Sequence, residues 1–311
     1  MATSIATIRA LNASFSPSYL PCAVFVGGTS GIGQGMAEAF ARHTKGNAHI
    51  ILVGRNSSAA ESIIASFPQP TSSSAKHEFI ACDVSLMRNV QQTPQELFSR
   101  TSKINFLVLS PGILSLNGRE ETEEGIDRKM ALHYYARWKF IHGLIPALFK
   151  AKEAGEDAKV FSVLGAGKGG KVDLDDLGLK KTFSLSAAAL QVPTYNDLMT
   201  EEYASRYPSL SFVHAYPGWV RTNIGSASPS PVLRVANKLA TSRLSPLSYL
   251  ATTQGDAGEY LLNGLLNTVS GSGAWRIGEH GEDIGKTRYF GDNESRHKLW
   301  EHTVLATSSN A

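Results

Sequence analysis

Short runs of consecutive apolar residues alternate along this chain with longer segments of helical periodicity. The apolar runs predict six strands, at residues 23–26, 49–53, 79–82, 104–109, 160–164 and 211–215. Segments with apolar residues at helical spacing lie between them, at 32–43, 59–67, 90–98, 125–149 and 187–207. Unbroken apolar strands that alternate with helices are typical of a parallel sheet covered on both faces. The pattern predicts an α/β fold with a single doubly wound parallel sheet, whose ligand crevice lies at the carboxyl ends of the strands.

The pattern changes on both sides of this core, which we place at residues 21–222. Residues 1–20 are predicted to form an N-terminal arm. We interpret residues 223–311 as an elaborated C-terminal substrate flap together with the completion of the same domain. The pieces of this last segment are a Ser/Pro/Gly-rich stretch at 226–231, helical patterns at 232–240 and 257–266, and a glycine-rich stretch at 271–285.

The composition excludes several classes of protein. Of the 311 residues, 42% are hydrophobic and 18% are charged, which supports a packed core and excludes a disordered chain. The formal net charge is only +3, and Lys and Arg are scattered, so we expect no nucleic-acid partner. No run reaches the ~18 apolar residues of a membrane helix, so we expect no membrane partner either.

Cysteine content and the first residues bear on the compartment. Cys22 and Cys82 both lie inside apolar runs, where a buried reduced thiol is the expected state. Residues 1–20 lack the basic start and apolar block of a secretory signal. We therefore expect a cytoplasmic protein.

A glycine-rich turn joins the first predicted strand to the first predicted helix. Residues 24–33 read VFVGGTSGIG, which places glycines at 27, 31 and 33. Missing side chains let the backbone approach a pyrophosphate, and the helix N-terminus offers free N–H groups and a partial positive charge. The turn therefore predicts a bound nucleotide. Its candidate binding residues are Gly27, Thr29, Ser30, Gly31, Ile32 and Gly33.

This turn resembles the Thr-Gly-x-x-x-Gly-x-Gly motif of the short-chain dehydrogenase/reductase family, with Val26 in place of the threonine. The resemblance extends over residues 21–222 through three further motifs. Residues 82–84 are similar to the family's Asp-Val after the third strand, and residues 216–222 resemble its Pro-Gly motif beside the nicotinamide. Residues 109–112 stand where the family has Asn-Asn-Ala-Gly, but only Gly112 matches. The patterns at 132–135 and 214–218 look most like fungal members of poorly defined chemistry.

The resemblance implies a Rossmann domain that binds NADP(H). Arg55 stands where the family selects its cofactor, and an arginine there suits the 2′-phosphate of NADP(H). Asp83 would hold the adenine amino group. The other cofactor-binding positions that the resemblance implies are Asn56, Val84, Ser110, Gly112, Pro217, Gly218, Val220 and Thr222.

The family's catalytic residues are missing from the positions that the resemblance assigns to them. The serine position falls on Gly165, the tyrosine position on Ala189 and the lysine position on Pro193. The asparagine position on the preceding helix falls on His133, and no Tyr-x-x-x-Lys occurs within residues 180–210. We therefore expect this chain to lack the family's usual proton donor, since the tyrosine and lysine must share one helix face.

Three other residues are candidates for catalysis. A histidine side chain ordinarily titrates near neutrality, and His133 would face the crevice. Tyr216 precedes Pro217, and Lys168 follows the fifth strand. These residues leave three hypotheses for function. The first is an NADP(H)-dependent reductase of a small, largely apolar carbonyl or iminium compound. The second is a non-redox isomerase, cyclase or dehydratase, and the third is a dinucleotide-binding regulatory protein. The resemblance also implies a homo-oligomer paired through the last two helices of the domain, with Tyr203 as a candidate contact.

Overall fold

A seven-stranded parallel sheet forms the centre of the molecule. The computed structural model describes residues 3–222, 234 and 251–308. Six strands follow the predicted positions: β1 Cys22–Val26, β2 His49–Gly54, β3 Lys76–Ala81, β4 Phe106–Leu109, β5 Lys159–Val163 and β6 Ser211–Ala215. Two short strands, β7 Val220–Arg221 and β8 Thr252–Thr253, pair with each other, and β9 Gly273–Ile277 completes the large sheet. The order across the large sheet is β3-β2-β1-β4-β5-β6-β9.

Helices cover both faces of this sheet. In the described residues they are α1 Ile5–Ala13, α2 Gly31–His43, α3 Ser57–Ala65, α4 Met87–Arg100, α5 Arg128–Met130, α6 Ala136–Glu153, α7 Leu185–Arg206, α8 Gln254–Asn263 and α9 Asn293–Thr307. A π-helical turn, Ala131–Tyr135, joins α5 to α6. Successive side chains of a strand point to opposite faces of the sheet, so β4 contributes to two hydrophobic cores. Leu107 packs in the core under α4, α6 and α7, and Phe106 packs in the core under α2 and α8.

The strand order fixes the position of the ligand crevice. The chain builds outward from β1 through β2 to β3, then returns to lay β4 on the other side of β1. Parallel pairing aligns the carboxyl ends of β1 and β4, with Val26 opposite Leu109. An open parallel sheet binds ligands where its strand order reverses, so the crevice lies above the ends of these two strands.

These observations confirm the predicted α/β class and the doubly wound parallel sheet, with one correction. The glycine-rich stretch 271–285, predicted as part of a flap, contains β9, which pairs with β6 along its whole length. Residues 257–266 fall in α8 and the π-helical turn after it, and α8 lies against α2. The predictions at 226–231 and 232–240 lie outside the described residues, apart from Arg234.

Helix α9, which the sequence did not predict, covers the outer side of α6 and α7. Trp300 packs edge-on against Trp138 and Tyr203, with ring centroids 5.1 and 5.0 Å away. Tyr203 is fully buried, and its hydroxyl donates to the Trp138 carbonyl at 2.8 Å. The expectation that Tyr203 contacts a second subunit was therefore wrong. Among the helices of the described residues, none combines the length and the apolar character needed to span a bilayer.

Candidate active site

The turn between β1 and α2 is pressed against the end of β4. Gly27 has a φ of +82°, and a Cβ there would lie 2.8 Å from the Pro111 nitrogen. A Cβ on Gly33 would collide with the Ser110 Oγ and lie 2.5 Å from the Gly27 carbonyl oxygen. Ser30 makes no side-chain cap on α2, whose first turn holds no acidic residue. The turn is therefore a bare backbone cradle at a helix N-terminus, which suits an anion such as a pyrophosphate.

Residues from three other segments surround this cradle. A Cβ on Gly31 would lie 3.6 Å from the Thr222 Cβ, and a Cβ on Gly54 would lie 2.9 Å from the Thr29 Oγ1. The structure thus brings Thr222, predicted from a motif almost two hundred residues away, to the first turn of α2. The Ser110 hydroxyl donates to the Val26 carbonyl at 3.2 Å.

Arg55 and Asp83 lie at the β2–β3 side of the crevice. Arg55 is exposed directly after β2. Burial works against ionisation of Asp83, but hydrogen bonds from the Ser85 hydroxyl and amide and the charge of Arg55 outweigh it and lower its pKa. A cation beside a hydrogen-bonded carboxylate is a suitable pair for a phosphate and a base amino group.

The other predicted binding residues differ in how free their side chains are. The Asn56 Oδ1 accepts the Ala59 N–H at 3.0 Å and caps α3, so this atom is already used. Gly218 has a φ of +72° and lies against Glu279. Val84 is buried, Gly112 is exposed, and Ile32, Pro217 and Val220 are half-buried.

Gly165 and Pro193, the residues to which the resemblance assigns the family's serine and lysine positions, lie side by side. A Cβ on Gly165 would be 3.2 Å from the Pro193 Cγ and 3.6 Å from the Lys168 Cβ. Ala189, at the tyrosine position, is exposed near the start of α7. These three residues supply no hydroxyl, phenol or ammonium.

His133 is a hydrogen-bond acceptor in the wall of the crevice. It lies in the π-helical turn, and its Nε2 accepts the Ile113 N–H at 3.0 Å. Burial, together with the charges of Arg137 and Lys129, lowers its pKa to about 3. The ring is therefore neutral at physiological pH, with its proton on Nδ1. This geometry does not support the expectation that His133 shuttles a proton near neutrality.

Tyr216 and Lys168 meet at the carboxyl ends of β5 and β6. The Lys168 Nζ lies 4.4 Å from the centre of the Tyr216 ring, a cation–π contact. Burial, with a contribution from the Glu279 charge, raises the pKa of Tyr216. The Lys168 ammonium contacts the face of the Tyr216 ring, and the raised pKa means that the Tyr216 phenol is a weaker acid than usual.

A buried polar network, which sequence reasoning missed, lies beneath these residues. The Arg137 Nη1 donates to the Ser162 Oγ at 2.8 Å, and the Ser162 hydroxyl donates to the Asn196 Oδ1 at 3.0 Å. The Asn196 Nδ2 donates to the His133 carbonyl at 3.0 Å. This network holds β5, α7 and the π-helical turn in one arrangement. The sequence signal for this network is weak: single polar residues stand at positions of α6, β5 and α7 that are otherwise apolar and buried.

A second buried network, also missed, supports Gly165 from below. The His214 Nε2 accepts the Gly165 N–H at 3.0 Å, and its Nδ1 lies 2.5 Å from the Asp197 carboxylate. Arg276 donates to the same carboxylate oxygen at 3.0 Å. In a catalytic triad the histidine would contact a nucleophilic side chain, whereas His214 contacts the Gly165 backbone amide. We therefore interpret Asp197, His214 and Arg276 as a structural support for the loop after β5. Within the described residues, no cluster of histidine, cysteine and carboxylate ligands suits a metal ion.

Comparison with known proteins identifies the family. A sequence model of the short chain dehydrogenase family matches residues 21–172. The oxidoreductase AN1596 of Emericella nidulans is 39% identical over 257 residues, which are 82% of this chain and 74% of that protein. An uncharacterised protein of Mycobacterium Paratuberculosis has a similar structure, with a TM-score of 0.68 and 17% identity over 96% of this chain and 97% of that one. The NADPH-bound carbonyl reductase from chicken fatty liver gives a TM-score of 0.58 and 17% identity over 86% of this chain and 99% of that one. On the fold, the glycine turn and these matches, the chain belongs to the short chain dehydrogenase family.

Proposed function

We propose that this chain is an NADP(H)-dependent reductase of a small, largely apolar carbonyl or iminium compound, and that it works without the tyrosine and lysine of its family. The contact between Gly165 and Pro193 carries this proposal. The phosphate cradle is retained, but the positions beside it that should give a proton hold no acid. A site of this kind favours substrates that are already activated and need little proton transfer in the transition state.

The residues around the glycine turn fit a dinucleotide. Gly27 and Gly33 leave the space that its bridging phosphates need, and α2 directs its N-terminus at them. Arg55 would pair with the 2′-phosphate, and Asp83 with the adenine amino group. NADPH, when bound, supplies a hydride. The likeness in fold to an NADPH-bound carbonyl reductase supports the same assignment.

Exposed apolar side chains at the mouth of the crevice support an apolar substrate. Leu114 and Leu116, in the loop after β4, are 42% and 52% exposed. Leu190 in the first turns of α7 is 51% exposed, and Trp219 after β6 is 56% exposed. These side chains belong to segments that follow β4, β5 and β6, and large exposed apolar side chains can mark a surface that an apolar ligand would cover.

The proton for a carbonyl substrate would come from Tyr216. Its phenol lies at the carboxyl end of β6 beside Lys168, and its raised pKa keeps it protonated. Because the same raised pKa makes it a weak acid, Tyr216 would help a carbonyl only modestly. An iminium needs no proton on the reacting bond, so its reduction would not depend on Tyr216.

The test is loss of NADPH absorbance over a panel of apolar aldehydes, ketones, enones and cyclic iminium ions. We expect at least one to be reduced by the wild-type protein. Tyr216→Phe should slow the reduction of a carbonyl substrate and leave the rate with an iminium substrate unchanged. His133→Ala, with its fold checked by circular dichroism, should leave both rates unchanged, because His133 is not the acid.

Two results would contradict the reductase. Turnover that proceeds equally with NADP⁺, NADPH or a redox-inactive analogue would indicate an isomerase, cyclase or dehydratase. Tight cofactor binding with no turnover of any compound would indicate a regulatory protein.

A further inference from the structure

Arg137 is a fully buried guanidinium at the floor of the crevice. Arg137 is 1% exposed and is among the largest fully buried side chains in the described residues. The Nη1 donates to the carbonyls of Leu109 and Val163 at 3.1 and 2.8 Å, and the Nη2 donates to the Pro111 carbonyl at 2.6 Å. These carbonyls lie at the carboxyl ends of β4 and β5, where the crevice opens.

The charge of Arg137 has no counterion in the part of the chain that the structure describes. Its hydrogen-bond partners there are carbonyls and one hydroxyl, which satisfy N–H groups but leave the net charge. Two other buried cations differ in this respect. Arg276 donates to Asp197, and the Lys159 Nζ lies 3.2 Å from Asp157. A buried charge without a counterion is costly, and an apolar side chain could fill the same space at lower cost.

The groups next to Arg137 leave the floor of the crevice positive. His133 is neutral, and the buried Lys129 ammonium is paired with the Asp127 carboxylate 3.7 Å away, so neither residue cancels the charge of Arg137. Pro111, which accepts from Arg137, also contacts the glycine turn, because a Cβ on Gly27 would lie 2.8 Å from its nitrogen. The positive floor therefore lies on the β4–β5 side of the point where the strand order reverses.

We propose that the charge of Arg137 makes this site discriminate between the two redox forms of its cofactor, binding the reduced form, whose nicotinamide is neutral, more tightly than the oxidised form, whose nicotinamide is a cation. The inference rests on the proposed cofactor and on the nicotinamide half lying on the β4–β5 side. The two redox forms carry the same phosphates and adenine and differ in the charge of the nicotinamide ring. The positive floor would therefore repel the oxidised ring and not the reduced ring. Repulsion between two unit charges in partly screened protein is large enough for a difference of about ten-fold in Kd. The spent cofactor would then leave the site readily.

The experiment measures Kd for NADPH and NADP⁺ by isothermal titration calorimetry on the purified chain, with no substrate present. We expect the wild-type protein to bind NADPH about ten-fold more tightly. Arg137→Gln removes the charge and keeps hydrogen-bond donors, so the ratio of the two Kd values should approach one. Arg137→Lys keeps the charge and should keep most of the ratio. Lys159→Gln removes a buried cation at the amino end of β5, away from the crevice, where Lys159 donates to the Leu265 and Val269 carbonyls, and should leave the ratio unchanged.

The other possible results distinguish failure of this inference from failure of the cofactor assignment and of the reductase proposal. Equal affinity of the wild-type protein for both forms overturns the inference even if no variant folds. Equal loss of the ratio in Arg137→Gln and Arg137→Lys also overturns it, because the cause would be geometry and not charge. No binding of either form to the wild-type protein overturns the cofactor assignment and the inference with it. Binding with the expected ratios but without turnover of any compound would sink only the reductase proposal.

Discussion

Replacement of Gly33 by alanine tests whether the glycine turn must stay bare. The new Cβ would lie 2.5 Å from the Gly27 carbonyl oxygen and 3.0 Å from its carbon, and it would collide with the Ser110 Oγ. Two of these three atoms are backbone, so the turn itself has to move. Forcing a methyl group into a filled site costs about 1–3 kcal/mol. Alanine recovers up to about 1 kcal/mol through its better helix propensity. We therefore expect Gly33→Ala to lower the free energy of unfolding by about 1–2 kcal/mol.

The same displacement should weaken cofactor binding more than it weakens the fold. The amide groups of the turn must point at a pyrophosphate within hydrogen-bond distance, and a shift of a few tenths of an ångström misdirects several of them together. We expect the Kd for NADPH to rise at least about ten-fold, or about 1.4 kcal/mol. Urea unfolding measures the first quantity and isothermal titration calorimetry the second.

Two controls separate crowding from the general effect of an added methyl group. Gly255 lies in α8 with no atom within 4 Å of a built Cβ, so Gly255→Ala should stabilise the chain by about 0.5–1 kcal/mol. Ser110→Ala removes one of the colliding atoms, so the pair Gly33→Ala and Ser110→Ala should cost less than the sum of the two single changes. If Gly33→Ala matched the wild-type protein in both stability and NADPH affinity, the close approach of Gly33 to the turn would have no energetic meaning.

Two further predictions concern the ends of the crevice and the N-terminal helix. Arg55→Ala should raise the Kd for NADPH by about ten-fold and leave the Kd for NADH unchanged, as measured by calorimetry, because only NADPH has a 2′-phosphate to pair with; equal loss for both would contradict the assignment. Glu259→Gln should destabilise the chain by about 2–3 kcal/mol, measured by urea unfolding at pH 7, because Glu259 is 1% exposed and accepts from His43 and Asn12 at 2.9 and 2.7 Å. The control Glu294→Gln removes one partner of an exposed ion pair on a helix and should cost far less. Burial alone would raise the pKa of Glu259, but those hydrogen bonds lower it, so its stabilisation is complete above the unfolded pKa of about 4.3 and is lost as the pH falls through the folded value. A difference between Glu259→Gln and the wild-type protein that stayed constant down to pH 3 would refute this account.

Six strands of the sheet were predictable because each contains a short apolar run; in β3 that run follows the polar residues Lys-His-Glu, so the prediction starts three residues late. Predicted and observed strands agree to within three residues at either end, and 211–215 agrees at both. Strand β9 was missed because its sequence, Gly-Ala-Trp-Arg-Ile, carries a glycine and an arginine that mask the apolar run. The predicted helix at 125–149 starts later, at Arg128, because the Asp127 carboxylate accepts the Lys129 and Met130 amides and caps it there.

The cofactor side of the site could be predicted from sequence, and its polar floor could not. Glycine spacing reports a local backbone requirement, so a short motif is enough to find the turn. Arg137 takes its acceptors from β4, β5 and the loop that follows β4. Asn196 depends in the same way on Ser162 and on the His133 carbonyl. Such partners meet only after the strands are paired, so no local pattern announces them.

Helix α1 lies against α8, and the Asn12 Nδ2 donates to the Glu259 carbonyl across 247 positions of sequence. During synthesis on the ribosome, the first helix therefore emerges long before the segment that receives it. At about 5–20 residues per second, that interval lasts on the order of ten to fifty seconds. Throughout it, the surface of α2 that α8 will cover stays open to water and to other nascent chains, which makes this surface a natural place for a chaperone to hold.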